Sequence, residues 1–191
     1  TYQDATNIAD EAATGSLSNY RGGNTEGLLS TCATVTRDSA VSSNPDTLTV
    51  DFGASNCLCS DGRNRRGKII IVYTGTYRDS GSTWNISFDN YFVNDNQVLG
   101  TKSVHNLGHN QAGHLVYDIN VNCSIILASN GGTITWTSQR QREWLSGEST
   151  PQWSDDMYSI TGSASGTGAS GTSYTANITS PLIRNMALGC R

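Results

Sequence analysis

Hydrophobic and polar residues alternate with a period of two along most of the chain from position 31 onward. The clearest run spans 115–125, where Leu115, Tyr117 and Ile119 begin a series of apolar residues separated mainly by polar ones. Because successive side chains of an extended chain point to opposite faces, this run predicts a strand with one buried face and one solvated face. Similar alternation predicts strands at 31–37, 47–53, 68–77, 84–93, 97–106, 115–127, 133–144, 157–164 and 173–179.

Short segments rich in Asn, Asp, Gly and Ser separate the predicted strands, at 43–46, 94–96, 130–132 and 166–171. Such residues favour tight turns, and strands joined by tight turns are antiparallel neighbours. About nine strands in this arrangement predict an all-β fold, with an antiparallel β-sandwich as the expected architecture and a flattened barrel as the alternative. Residues 182–190 also alternate, which predicts a further strand that closes the sheet.

The first 30 residues differ, because small apolar residues recur there at helical spacing, at Ala5, Ile8, Ala9, Ala12 and Ala13. Alanine buries little surface, so a helix formed by this stripe needs a docking partner for stability. We expect a short N-terminal helix or arm over residues 1–30, a possible inter-subunit docking segment, and a β-sandwich domain over residues 31–191. An ordinary frayed terminus is the alternative interpretation.

Composition narrows the class of protein, since charged residues make up only 15% of the chain and the formal net charge is −4 at pH 7. Binding to nucleic acid requires many Lys and Arg contacts with phosphate, so no nucleic-acid partner is expected. No apolar run approaches the roughly 18 residues of a transmembrane helix, so no membrane span is expected either. The chain begins at Thr1 without a signal peptide, as a processed mature form or an excerpt would. The expected location is extracellular or at the cell surface.

The chain has five cysteines, Cys32, Cys57, Cys59, Cys123 and Cys190. A zinc site needs four ligands, usually in two close pairs, and here only Cys57 and Cys59 are close in sequence. The turn at 43–46 instead predicts Cys32 opposite Cys57 on neighbouring strands, in a disulfide that contributes about 3 kcal/mol. Cys59 and Cys190 form a possible second disulfide, and Cys123 is expected to be a buried free thiol. The odd count leaves an intermolecular bridge open.

Three histidines, His105, His109 and His114, are the best metal candidates in the sequence. Gly108 and Gly113 favour a loop with surface histidines, so no metal or other cofactor is predicted. The chain contains no H-E-x-x-H, G-x-S-x-G or phosphate-loop motif. We therefore expect a protein that is not an enzyme.

A basic cluster follows the C-x-C pair, at Arg63, Arg65, Arg66 and Lys68. Nucleic-acid binding would favour aromatic residues interleaved with these arginines, and none is present. Asp61-Gly62 is typical of a turn. The expected structure is a solvated turn whose arginines pair with local carboxylates.

Tryptophans suggest an alternative function. Trp136 and Trp144 share one face of a predicted strand, and aromatic rings on a sheet face can stack on sugar rings. Core packing is the expected role of Trp136, whereas Trp144 and Trp153 lie near predicted loops and are the candidate glycan-stacking residues. The alternative function is therefore a surface glycan-binding β-sandwich module.

Several motifs occur in a shared order: Arg63-Asn64-Arg65-Arg66-Gly67-Lys68-Ile69, Asn90-Tyr91-Phe92-Val93-Asn94, Gly100-Thr101-Lys102, then Trp136, Arg140, Trp144 and Ile160-Thr161-Gly162. In this order the chain resembles uncharacterised secreted or lipid-anchored β-rich proteins of Bacteroidota. That group has no assigned activity, so the resemblance implies no catalytic residues. Its members usually continue past the position of Cys190 with another hairpin. Asp38-Ser39-Ala40 and Asp46-Thr47-Leu48 are similar to the Bacteroidota O-glycosylation signal, which implies covalent glycans on Ser39 and Thr47.

The leading hypothesis is a structural subunit of an extracellular, pilus-like filament. Bacteroidota pili that this arrangement resembles use donated strands, and the chain stops where its relatives add another hairpin. A sheet that lacks its last partner exposes an unpaired edge, which a neighbouring copy can cover. We expect a homopolymer in which an end segment, 1–30 or 180–191, packs into the next subunit.

Overall fold

The computed structural model describes Ala5, Ile8, Ala9 and Ala12, together with residues 33–38, 44–150 and 152–188. Eleven strands form one sheet. They are β1 (Thr34–Arg37), β2 (Asp46–Asp51), β3 (Cys57–Leu58), β4 (Asn64–Tyr73), β5 (Thr83–Val93), β6 (Asn96–His109), β7 (Leu115–Ile126), β8 (Thr133–Ser146), β9 (Met157–Thr167), β10 (Ser173–Asn177) and β11 (Leu182–Asn185). Two short 3-10 helices, Trp153–Asp155 and Met186–Leu188, lie before β9 and after β11.

The sheet is an antiparallel meander in the order β1-β2-β4-β5-β6-β7-β8-β9-β10. In addition, β3 pairs with the beginning of β4, and β11 pairs with the beginning of β9. The prediction of an all-β antiparallel fold is confirmed. Within the described residues, hydrogen bonding joins the strands into a single open sheet, and the strands number eleven rather than about nine.

Two-residue turns explain why successive strands pair. Asn94 and Asp95 between β5 and β6 have φ angles of 47° and 63°, and Ser129 and Asn130 between β7 and β8 have φ angles of 56° and 58°. Positive φ at both central residues gives a hairpin turn whose twist matches that of the strands. Asn and Asp adopt this conformation more readily than other residues that carry a Cβ.

One face of the sheet carries the hydrophobic core, as the alternation predicts. Ile69 and Ile71 in β4 and Tyr117, Ile119 and Val121 in β7 are buried, and the residues that alternate with them point away from the core. Burial of side chains of this size stabilises the fold by about 1.5–3 kcal/mol each. The central strands therefore hold the sheet together through this face.

The first described residues also belong to the core. Ala5, Ile8, Ala9 and Ala12 are buried in the same cluster as the core face of the sheet. They are four of the residues that defined the predicted N-terminal stripe. The rest of the predicted helix or arm over residues 1–30 lies outside the described residues.

The register between β1 and β2 differs from the predicted one. Thr34 pairs with Asp51, whereas a turn centred on 43–46 would have paired it with Ser55. Arg37 Nε donates to the carboxylate of Asp46 at 2.8 Å, which joins the end of β1 to the start of β2. The hairpin is therefore centred earlier in the chain than predicted, with Thr34 opposite Asp51 and Arg37 opposite Leu48.

The last predicted strand is shorter than expected. β11 ends at Asn185, and Met186–Leu188 forms a 3-10 helix instead of continuing the alternation. Met186 N donates to the carbonyl oxygen of Asp156 at 3.0 Å, which ties the helix to the start of β9. The two-residue strand β3 lies at Cys57, where the sequence predicts a strand before the Asp61-Gly62 turn, and it pairs with β4.

Candidate functional site

Two strands in succession form the edge of the sheet beside β9. β10 pairs with the second half of β9, and β11 pairs with the first half. Between them, Ile178 N donates to the carbonyl oxygen of Gly162 at 2.9 Å. The two strands thus make one continuous border, called here the β10–β11 edge (Ser173–Asn177 and Leu182–Asn185).

Large apolar side chains are exposed along the β10–β11 edge. Leu182 and Ile183 each expose 57% of their surface, and Tyr174 exposes 44%. The register across β9 and β8 aligns Leu182 with the buried residue Tyr117 of β7, so Leu182 lies on the core face of the sheet. The apolar face of the sheet therefore extends to a border where the described residues do not cover it.

The β10–β11 edge has few of the features that keep sheet edges from pairing. Natural edge strands are usually protected by charged side chains, Pro or bulges, because unpaired backbone groups recruit other strands. Arg184 is the one charged residue within these two strands. In the described part of the chain, no strand pairs with the outer side of β10 or β11. The edge is therefore suited to accept an added strand.

The opposite border of the sheet, formed by β1, has a different chemistry. β1 is short, and its last residue, Arg37, is ion-paired with Asp46. Tyr73 Oη also donates to the Asp46 carboxylate at 2.8 Å. Burial acts to raise the pKa of Asp46, but the hydrogen bonds from Arg37, Tyr73 and the Thr47 N–H hold it below its usual value. The two borders of the sheet are thus different surfaces.

A cluster of aromatic rings around Arg142 holds β9 to the rest of the sheet. The guanidinium carbon of Arg142 lies 4.9 Å from the ring centroid of Tyr117, 5.0 Å from that of Tyr158 and 5.4 Å from that of Tyr77. These are cation–π distances. Burial raises the pKa of Tyr117 and of Tyr158, so both hydroxyls stay protonated at neutral pH. Because Tyr158 belongs to β9, the cluster fixes the strand that carries the β10–β11 edge.

Comparison with known proteins finds no matching family model, curated protein or solved structure. The described residues contain no helix that is long and apolar enough to cross a membrane. They also bring together no group of three or more His, Cys, Asp or Glu side chains that suits a metal ion.

The structure corrects one of the two predicted disulfides. Cys59 is a buried free thiol, so the predicted bond between Cys59 and Cys190 is not formed. The reason is that its side chain points into the core, where Sγ lies 3.7 Å from the carbonyl oxygen of Cys57. Cys57 itself is disulfide-bonded. Cys32 and Cys190 lie outside the described residues, so the predicted pairing of Cys57 with Cys32 stays a prediction.

Cys123 is buried and forms no disulfide, as predicted, and its Sγ lies 3.7 Å from the carbonyl oxygen of Thr101. Of the two predicted glycosylation positions, Thr47 is a half-buried residue of β2 that pairs with Val72 of β4. Ser39 lies outside the described residues. Modification of Ser39 and Thr47 stays a prediction.

The structure does not support glycan stacking on Trp144. Its side chain is 3% exposed, because one side of the ring packs near Tyr158, at 5.4 Å between centroids, and Arg78 lies 4.9 Å from its centre. A ring without an exposed face cannot stack on a sugar, so this part of the prediction is wrong. Trp153 lies in the first 3-10 helix, and its side chain is outside what the structure describes. Trp136 packs against the core, as expected.

The basic cluster pairs with nearby carboxylates, as predicted. Arg65 donates to both carboxylate oxygens of Asp61, at 2.7 and 2.6 Å, and Arg66 pairs with Asp95. Lys68 Nζ lies 3.3 Å from Asp51. One detail differs, because Arg65 is completely buried and is not part of a solvated turn.

The three histidines do not converge. His109 Nε2 lies 2.9 Å from Glu148, and His114 Nδ1 lies 2.8 Å from Glu143, while His105 is exposed on β6. The hydrogen bond with His114 lowers the pKa of Glu143. These pairs join the β6–β7 hairpin to the end of β8.

Tyr174 and Ile183 are edge residues that the sequence interpretation did not single out. The available signal was the uncharged composition of Ser173–Asn177 followed by two adjacent aliphatic residues at Leu182 and Ile183. An alternating strand with a core on one side has polar residues on the other. Adjacent exposed aliphatics at the end of a meander therefore indicate a border where both faces carry an apolar side chain.

Proposed function

We propose that this protein is a structural, non-catalytic subunit of an extracellular filament. In this filament a terminal segment or strand of one copy packs against the β10–β11 edge of the next copy. The observation that carries the proposal is the uncovered border itself, with Leu182 and Ile183 each 57% exposed. Strand addition at such a border gains main-chain hydrogen bonds and buries apolar side chains at the same time.

The difference between the two borders supports a filament rather than a closed dimer. The β10–β11 edge exposes Tyr174, Leu182 and Ile183, whereas β1 ends in the Arg37–Asp46 ion pair. Contacts between unlike surfaces are head-to-tail, and they extend into an open polymer unless the rotation closes a ring. The dissimilar borders therefore support an open assembly of copies of this chain.

The state of Cys57 supports an extracellular location. Cys57 is disulfide-bonded. Disulfides persist in oxidising compartments and are rare in the reducing cytosol. A secreted subunit that assembles outside the cell would keep this bond.

A charge placed on the edge tests the proposal. Ile183→Lys puts a positive charge beside Arg184, and assembly would have to bury it, so we expect a monomer where the unaltered protein forms polymers. Because Ile183 is mostly solvent-exposed, the melting temperature of the isolated subunit should change little. Size-exclusion chromatography with light scattering measures the oligomeric state, and thermal unfolding measures the melting temperature.

Leu58→Lys is the matched control, because Leu58 is 68% exposed on β3, away from the β10–β11 edge. This variant should still polymerise. Equal polymerisation of the unaltered protein, Ile183→Lys and Leu58→Lys would refute a role for the edge. Loss of polymerisation in both variants would also count against the proposal, because the effect would then come from charge alone.

A further inference from the structure

The face of the sheet opposite the core carries rows of short, uncharged polar side chains. Cross-strand register across β5 to β10 aligns one row of six, Asn85, Ser103, Asn120, Gln139, Ser163 and Asn177. The next row is Ser87, Thr101, Asn122, Thr137, Ser165 and Thr175. A third row continues over β7 to β10 from Ser124 to Ser173. This surface is called here the polar face.

The polar face has a regular geometry because the sheet imposes it. Neighbouring strands lie about 4.8 Å apart, and side chains on one face repeat about every 6.7 Å along a strand. Hydrogen bonds between the side chains fix several hydroxyls, since Thr135 Oγ1 lies 2.8 Å from Thr167 Oγ1 and Thr137 Oγ1 lies 3.1 Å from Ser165 Oγ. The surface is therefore a preorganised lattice of hydroxyl and amide groups.

The composition of the polar face limits what it can bind. None of the three rows contains Asp, Glu, Lys or Arg, so a charged partner would find no opposite charge there. The rows also lack the aromatic and large aliphatic side chains on which protein interfaces depend. A suitable partner is uncharged and offers many hydroxyl groups, each able to donate and accept a hydrogen bond.

We propose that the polar face binds a neutral polysaccharide. Sugar units in an extended glycan chain repeat at nearly the spacing of neighbouring strands, so a chain that crosses the strands meets about one polar side chain per sugar. Each hydrogen bond contributes little on its own because water competes for it, so affinity arises from the length of the rows. This site uses different residues from the predicted tryptophan pair and does not depend on polymerisation.

Affinity electrophoresis tests the proposal with the full chain. Native gels contain hydroxyethyl cellulose, mixed-linkage β-glucan or dextran as neutral probes, or alginate as a charged probe. At least one neutral polysaccharide should retard the protein, and added salt should leave that retardation unchanged, since no charges are involved. Retardation by none of the neutral polymers, or by alginate alone, would overturn the proposal.

Substitutions at the centre of the polar face locate the binding. Asn122→Arg with Thr137→Arg raises two long side chains above neighbouring positions of one row and should weaken binding about tenfold or more. Gln111→Arg with Ser149→Arg adds the same charge at exposed positions off the face and should bind as the unaltered protein does. Equal binding by both double variants would contradict the assignment.

Two further variants distinguish loss of polysaccharide binding from loss of folding and from loss of assembly. Asn122→Ala with Thr137→Ala removes the polar groups without added bulk and should lower affinity with only a small decrease in melting temperature, from the lost Thr137–Ser165 hydrogen bond. Unchanged affinity in this variant would also overturn the proposal. The Ile183→Lys subunit should still bind the polysaccharide, so failure of the filament proposal and failure of this one give different results.

Discussion

Arg65 carries a positive charge into the interior of the protein, where its side chain is 0% exposed. Asp61 neutralises it through two hydrogen bonds, at 2.7 and 2.6 Å. The hydrogen bond from Arg65 is the largest cause that lowers the pKa of Asp61 below its usual value. Because a buried charge is costly without its partner, this pair fixes the turn before β4 more strongly than a surface pair would.

Removal of the Asp61 carboxylate should therefore destabilise the folded protein strongly. We expect Asp61→Asn to lower the free energy of unfolding by about 3–5 kcal/mol at neutral pH, measured by urea denaturation. Asp95→Asn is the control, because the partner of Asp95, Arg66, keeps access to water, and it should change stability little. Similar losses in the two variants would contradict the structural role of Arg65.

The effect of pH on the stability lost in Asp61→Asn follows from the lowered pKa of Asp61 in the folded protein. A carboxyl with a lowered pKa in the folded state contributes its full stability above the unfolded pKa of about 4. This contribution is lost as the pH falls through the lower folded pKa. The stability difference between the unaltered protein and Asp61→Asn should thus be constant near neutrality and shrink only under strongly acidic conditions.

Gly67 is required by the close approach of a neighbouring strand. A Cβ at this position would lie 1.9 Å from the carbonyl oxygen of Asn90, and the residue has a φ of +83° at a bulge between β4 and β5. Gly53 has a similar φ of +80° but has no atom within 4 Å of its Cβ position. Both glycines have a backbone conformation that strains a residue with a Cβ, but only at Gly67 would that Cβ also clash with a neighbouring strand.

Alanine at these two positions tests that difference. Gly53→Ala should cost about 1–2 kcal/mol, the usual penalty for a left-handed residue with a Cβ. Gly67→Ala should cost clearly more, because the strands must also move apart. Chemical denaturation of both variants gives the two values. Equal losses would show that the strands at Gly67 separate without cost.

At the level of the elements, alternation located nearly every long strand. The central strands obeyed it because one face packs on the core and the other meets water, as in 115–127, observed as Leu115–Ile126. Register between β1 and β2 was not predictable in this way. It depends on the Arg37–Asp46 contact, which joins residues across the connection and leaves no periodic signal.

The candidate site was only partly predictable from the sequence for a related reason. The polar and apolar patterns identified a sheet, but exposure depends on which strands are last in the sheet. Leu182 alternates like a core residue, and only the order of the strands shows that it lies at a border. The prediction for Trp144 was wrong in the opposite sense. Its position near a loop in the sequence indicated an exposed side chain, but that side chain is buried against Tyr158.

At the scale of the molecule, the described strands form a meander with two unlike borders and two unlike faces. Its core face is apolar and reaches the β10–β11 edge, and its polar face presents rows of hydroxyl and amide groups. In an assembly through the edge, the polar face of each copy would remain accessible. Repetition of that face along a filament would increase its affinity for a long polysaccharide through multivalency.

Negative-stain electron microscopy of the native protein, with size-exclusion chromatography of the same sample, is the most direct test of assembly. The account predicts fibres of uniform width and a high-mass species that dissociates on dilution. It also predicts that neither appears in the Ile183→Lys variant. Monomers alone at every concentration examined, with no fibres on the grid, would contradict the claim that a second copy covers this border.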